Sequence, residues 1–319
     1  MDNIRHNTNI NDEKNEKIDT TFVISEEHVK LFARYAKMPI MVCSVDTIDY
    51  YIGLLDRYFE GCKTRWDQFK KEVGTINIIS EIKRVSENII NIITGHTDYN
   101  FLKANKPVLN TGQVIDKKLY SVQNNGKKYV SFDITKGNFS VLRLHCPAIF
   151  GGSHVQWYDF ISKFTDSEFV RNSKMVREII FGKAGFAKLA NTLQEHEINN
   201  LYLYIATKHI KGINLYSKAG DEIIYEIGGD VTEDYLKTLV SEYANGHIFT
   251  IKVFSLHCIE NTPYFYKLYQ DGSIELRTVP KKYVTQVIKK LEGGEINKLD
   301  LTGVDEDGNM YVYVKSIFD

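Results

Sequence analysis

Asp133 closes the apolar run YVSFD, and Asp221 with Glu222 marks the turn inside GINLYSKAGDEIIYEIGG. Both stretches alternate in the manner of strands, so each acid stands at a strand end or on a hairpin tip. Carboxylates brought side by side repel each other unless a cation lies between them. Mg²⁺ (or Mn²⁺) is held by one or two carboxylates together with phosphate oxygens and water, which matches this ligand set. Such ions activate an attacking hydroxyl and stabilise a departing pyrophosphate. The expected chemistry is metal-assisted nucleotidyl transfer, with Asp133 and Asp221 as metal ligands and Glu222 as their acidic support. Taken singly, an acid in a turn is more often a capping residue than a ligand. The combination of a strand-end Asp with an acidic tip on a neighbouring hairpin is what points to chemistry.

A second set of residues would bind the nucleotide. Arg171, Lys174 and Arg177 recur at three-residue intervals in a helical stretch, and Lys183 and Lys188 continue the positive run. Guanidinium forks match phosphate oxygens, so such a face suits a triphosphate. Phe181-Gly182 offers a ring to stack on a base and a residue that permits close approach. The plainer reading is a solvated charged face, with Val170, Val176, Ile179 and Ile180 turned to the core. Gly151-Gly152 lacks the context of a phosphate loop and reads as a turn. The aromatic run Tyr264, Phe265, Tyr266 and Tyr269 reads as strand packing rather than a base-stacking platform.

The elements that must position these residues follow from periodicity. Residues 1–20 are polar and expected to be disordered. From Ser25 a capping-box pattern opens a helix, and longer helical stretches follow over 47–72 and 76–95. The segment 117–134 predicts two strands joined at Asn124-Asn125-Gly126. Helices are predicted from Asn138 to about His145, from Thr165-Asp166 through Phe181, and over about 184–197. Strands at 213–217 and 222–227 form a hairpin. A helix capped at Asp230–Glu233 runs to about Ala244, and the strand HIFTIKVFSLH follows. Residues 261–319 add a hairpin turning at Asp271-Gly272, a helix near 280–291 and a strand at 310–317.

Over 128–257 this is the β-α-β-β-α-β order of a ferredoxin-like sheet. The expected class is α+β: a palm-type antiparallel sheet with a fingers-like helical insertion and an N-terminal helical region. The corresponding division is a tail (1–20), a helical region (21–116), a palm-like domain (117–260) with a basic insertion (138–205), and a small α/β extension (261–319).

Three short motifs carry a resemblance. SFDITKGNFSVLR resembles the first catalytic motif of family A DNA polymerases, with Asp133 as the metal-binding Asp and Asn138 where the family usually has a sugar-contacting Glu. RNSKMVREIIFGKAGFAKLA is similar to the fingers helix of that family. Arg177 stands at the triphosphate-binding Lys position, Phe181-Gly182 at the stacking aromatic-Gly, and Gly185 where a Tyr is frequent. GDEIIYEI resembles the family's His-Asp-Glu hairpin, with Gly220 in place of the His. The resemblance implies a palm with Mg²⁺, a nucleotide triphosphate, DNA or RNA, and replication or other protein partners. KAGDEI and FDITKGNF also resemble the metal-binding motifs of class III and diguanylate nucleotide cyclases. The long interval between Asp133 and Asp221 leaves room for a fingers-like insertion and favours the polymerase-like reading. A palm-like protein that binds nucleic acid or a replication partner without catalysis is the further alternative.

Composition bounds these readings. The chain has 319 residues, of which 43% are hydrophobic and 25% charged, enough for a sizeable core and about two domains. A net charge of −1 provides no global attraction to nucleic acid, so any contact requires a local basic patch. Cys43, Cys62, Cys146 and Cys258 are scattered, which argues against a disulfide framework or zinc site. No stretch approaches the roughly 18 apolar residues of a membrane span, and no signal peptide opens the chain. Richness in Asn, Ile, Lys and Tyr suits an AT-rich genome. The expected location is intracellular, in cytoplasm or a viral replication compartment, with no membrane partner.

Overall fold

The computed structural model describes residues 23–38, 45–59, 61–105, 113–115, 118–228, 231–304, 310–312 and 316–318. The tail 1–20 and Cys43 lie outside the described residues.

Five helices come first: α1 (Glu26–Tyr35), α2 (Val45–Leu55), α3 (Cys62–Val73), α4 (Ile78–Gly95) and α5 (Thr97–Ala104). Local chemistry sets their ends. Ser25 caps α1 by accepting from the His28 amide, and the His28 ring returns a bond to the Ser25 backbone. Asn77 caps α4 through the Ser80 amide at 3.0 Å. The α4 residues Ile78, Ile82, Val85, Ile89 and Ile93 recur at helical spacing and are all buried.

β1 (Lys128–Ile134) follows, and then α6 (Gly137–His145), α7 (Pro147–Phe150), α8 (Trp157–Ile161), α9 (Glu168–Asn172), α10 (Lys174–Lys183) and α11 (Ala187–Thr207). The hairpin β2 (Ile213–Ala219) and β3 (Glu222–Ile227) leads through α12 (Glu233–Ser241) to β4 (Phe249–Cys258). β5 (Phe265–Tyr269), β6 (Ile274–Arg277), α13 (Val284–Leu291), β7 (Thr302–Val304) and β8 (Met310–Val312) complete the order. The protein is mixed helix and sheet. Six strands form one antiparallel sheet in the order β2-β3-β1-β4-β5-β6, and β7 pairs with β8 separately. Among the described residues no helix is long and apolar enough to cross a membrane.

The sheet has two different faces because side chains alternate along each strand. Val130, Phe132, Ile134, Ile223, Tyr225 and Val253 join the main core, where α11 packs on β2 and β3 and α12 on β4. The opposite face carries a small cluster of Leu119, Tyr129, Ile224, Phe254, Leu256 and Phe265. Towards the Asp133 end this face becomes polar, with Ser131, Asp133, Glu222 and Lys252. An antiparallel sheet with one covered face and one partly open face is ordinary construction.

The N-terminal helices are tied to the rest by aromatic packing and one carboxylate. Phe32 lies 4.8 Å from Trp66, and Phe69 lies 4.9 Å from Phe169 of α9. Glu72 accepts from the Ser167 hydroxyl and from the Phe169 amide at 3.2 Å.

Four sequence expectations need correction. The stretch 47–72 divides into α2, which ends at Leu55, and α3, which begins at Cys62. No strand forms over the described residues 118–127; Val122–Asn124 is a 3-10 turn. β1 is central and already paired on both edges, by β3 and β4, so it has no edge for a hairpin partner. Asn124 is instead buried and donates to the carbonyls of Lys118 and Leu119 at 3.1 and 2.8 Å. Next, the helix expected through 166–181 breaks at Ser173, which is extended at φ −72, ψ 114 and caps α10 through the Val176 amide. Last, α11 runs on to Thr207, past the expected end near 197. Its buried polar residues Glu197 and Asn199 are satisfied by Asn245 and Lys218 at 2.9 and 2.7 Å, partners no local pattern reveals.

Candidate active site on the open face of the sheet

β1 and β3 run antiparallel with Asp133 opposite Glu222, and Thr250 of β4 stands opposite Asp133 on the other side. The β2–β3 connection is only Gly220-Asp221, with Gly220 at φ 60. Glycine adopts that left-handed conformation without steric cost, as a two-residue hairpin requires. The turn folds Asp221 back until its carbonyl accepts from the Ile134 amide at 3.0 Å. Asp133, Asp221 and Glu222, distant in sequence, therefore share one end of the sheet.

Their electrostatics follow from crowding. Burial pushes the Asp133 carboxyl up to about 7, and the charges of Asp221 and Glu222 add to the shift. Lys267 and Lys174 oppose it, so both ammonium groups are within electrostatic reach of Asp133. Glu222 accepts from the Ser131 hydroxyl at 2.5 Å and lies 3.6 Å from the Lys267 ammonium. Lys267 is 3% exposed and stands 4.3 Å over the Phe254 ring.

Among the described residues no three His, Cys, Asp or Glu side chains converge as a preformed metal site. Mg²⁺ needs only one or two carboxylates when phosphate oxygens and water supply the rest. The donor set therefore fits the ion together with a polyphosphate ligand. Burial is the larger cause of the raised Asp133 group, and the neighbouring carboxylates are the smaller one, the part that a cation would relieve.

The expected nucleotide-binding residues divide into two groups. Lys174 is exposed and within reach of Asp133. Arg177, one turn further along α10, is partly buried, and burial lowers its pKa; no carboxylate lies within 4.0 Å of its guanidinium among the described residues. Asn138 sits in the first turn of α6, where its side-chain oxygen accepts from Gln194 at 2.9 Å. Arg171, on the separate helix α9, is consumed locally: it contacts Glu168 at 2.8 Å, Asp166 at 3.1 Å and the Thr165 carbonyl at 2.7 Å. Lys183 is exposed in the last turn of α10, where it complements the helix dipole. Phe181 is fully buried, its ring 5.9 Å from Trp157 and 6.2 Å from Phe186, with no open face for a base. Phe181→Ala is expected to cost about 3–5 kcal/mol of stability, as buried Phe truncations do; urea unfolding measures it.

No protein-family model, curated protein or solved structure matches this chain.

Gly185 takes φ 73 just past the end of α10, a left-handed position that suits glycine and would strain a tyrosine. Several residues around the acids carry no local sequence signal. Lys136 links β1 to α6 in a left-handed conformation at φ 53, ψ 47, and burial and then the charge of Arg177 lower its pKa. A non-glycine residue at positive φ is itself a signal, though one visible only in the backbone. Ser131, Thr250 and Lys267 come to the acids only through strand order. Beside the cluster a cleft of about 1360 Å³ opens between the N-terminal helices and the sheet. Thr250, Lys174, Lys252, Arg57 and Arg65 line it, and the acids are not among its wall residues.

Proposed function

We propose that this chain is a Mg²⁺-dependent nucleotidyltransferase of the polymerase-like kind, acting on nucleotide triphosphates with DNA or RNA as acceptor. The observation that carries the reading is the meeting of Asp133 with Asp221 and Glu222 across β1 and β3, with Asp133 pushed up to about 7. The order β2-β3-β1-β4 supports a ferredoxin-like, palm-type sheet, with α6 to α11 as the first crossover and α12 as the second.

In this reading Asp133 and Asp221 supply carboxylate oxygens, and Glu222, held by Ser131 and Lys267, stands beside them. A bound Mg²⁺ supplies Lewis-acid stabilisation of charge at the transferring phosphoryl group. Lys174, Arg177 and Lys136 present positive charge from α10 and the β1–α6 turn to the triphosphate. Asn138 stands near the same turn to contact the sugar, and Lys252 and Arg65 in the cleft offer contacts for an acceptor strand.

Primer extension with labelled nucleotides tests this. Incorporation by the native protein and its loss in Asp221→Asn, with the fold retained, is the expected result. Equal incorporation by the variant would refute the assignment. Commitment of Phe181 and Arg171 to packing and local ion pairs favours a second reading, a palm-like protein that binds nucleic acid without catalysis. It predicts salt-sensitive binding that ignores Mg²⁺ and no extension by any variant.

A further inference from the structure

We propose that Lys267 is a positioning residue of the acidic cluster, whose ammonium occupies the place of one cation so that the site recruits a single divalent ion through Asp133 and Asp221. The inference rests on the nucleotidyltransfer reading of this site.

Lys267 reaches the acids from β5, two strands away from Asp133. It is 3% exposed, its ammonium 3.6 Å from Glu222 and 4.3 Å over the Phe254 ring. Nearby, Glu275 and Arg277 pair at 2.8 Å and cancel each other. The ammonium thus offsets Glu222, leaving Asp133 and Asp221 as the carboxylates open to an ion. A structural explanation alone is insufficient. A buried ion pair is seldom more stable than apolar side chains of the same volume, and a methionine would fill this position beside Phe254. What the lysine adds is an ammonium 3.6 Å from Glu222, whose carboxylate also accepts from the Ser131 hydroxyl, and burial lowers the pKa of that ammonium. It also opposes ionic crowding at Asp133 before any metal arrives.

The test is Mn²⁺ binding to the full chain, read by loss of the free-ion electron paramagnetic resonance signal. The native protein is expected to bind one ion per chain. Lys267→Met should bind Mn²⁺ at least roughly tenfold more tightly, because a unit positive charge has been removed from the ion's neighbourhood. Lys267→Arg should restore native affinity. If Lys267→Met unfolds, Glu222→Gln with and without Lys267→Met reads the same sign in a neutralised pair, and removal of the lysine should again tighten binding. Unchanged or weaker binding on removal of the lysine overturns the proposal. Adding Asp133→Asn separates the two claims. If Lys267→Met tightens binding and Asp133→Asn leaves that affinity untouched, the ion sits elsewhere and the nucleotidyltransfer reading fails with it. If Asp133→Asn abolishes binding while Lys267→Met changes nothing, only the role of Lys267 fails.

Discussion

Asp133→Asn is expected to remove most nucleotide incorporation and, above pH 7, to make the protein more stable. The two effects have one cause. Burial, and then the charges of Asp221 and Glu222, push the Asp133 carboxyl from an ordinary 3.8 to about 7. In the unfolded chain it ionises near its ordinary value. Between about pH 4 and pH 7 the folded state therefore holds a proton that the unfolded state has released, and stability falls as pH rises through that window. Above pH 7 the penalty is complete. At about 1.4 kcal/mol per pH unit the ceiling is ~4 kcal/mol, and partial exposure brings the expected value to about 2–4 kcal/mol. The asparagine carries no charge and escapes it. The difference in melting temperature between variant and native protein should be small at pH 4, should grow through the window and should level off above pH 7. Saturating Mg²⁺ with a triphosphate at pH 8 should narrow it by stabilising the native site. Incorporation should fall by roughly 10³-fold, the scale of losing a few kcal/mol of transition-state stabilisation. A variant that loses activity and also loses stability at pH 8 would mean that Asp133 is a structural residue.

Arg177→Ala carries the second large effect. Its guanidinium lies partly buried one turn from Lys174, near Lys136, with no carboxylate within 4.0 Å among the described residues. Two charge-assisted bonds to phosphate contribute about 2–3 kcal/mol net, so triphosphate binding should weaken about 30- to 100-fold. Lys at this position should recover only part of that, since a point charge cannot make the forked contact. Stability should hold or rise, because a desolvated, unpaired cation is removed. Arg171→Ala should do the reverse. It should lower stability by breaking the contacts to Glu168, Asp166 and Thr165, and leave triphosphate affinity near native. Isothermal titration with a non-hydrolysable triphosphate and thermal melts of both variants read the pair. Equal loss of affinity in both would place the triphosphate elsewhere.

Much of the scaffold is legible in the residues. YVSFD and the GINLYSKAGDEIIYEI hairpin form strands because their alternation has one answer in a half-covered sheet. Thr232 caps α12 through the Tyr235 amide at 3.2 Å, inside the capping segment the sequence indicates. The meeting of Asp133 with Asp221 follows from strand order and the two-residue turn at Gly220. What resists reading depends on tertiary partners. The break at Ser173 is favoured by its hydroxyl donating to the Tyr35 carbonyl at 3.0 Å, a contact from a remote helix. It moves Arg171 away from the helix that carries Lys174 and Arg177. Phe181 looks available to a base until Trp157 and Phe186 enclose it. Lys267 lies in FYKLY, a segment whose aromatics alone suggest strand packing. β6 on one side and β4 on the other turn that place into an interior.

Anomalous diffraction from crystals soaked with Mn²⁺ and a non-hydrolysable nucleoside triphosphate tests the central claim most directly. The prediction is one Mn²⁺ peak at coordinating distance, about 2.0–2.2 Å, from carboxylate oxygens of Asp133 and Asp221, with the polyphosphate running toward Arg177 and Lys136. A bound triphosphate whose metal touches neither acid, or carboxylates that stay apart with the ion in place elsewhere, would contradict it.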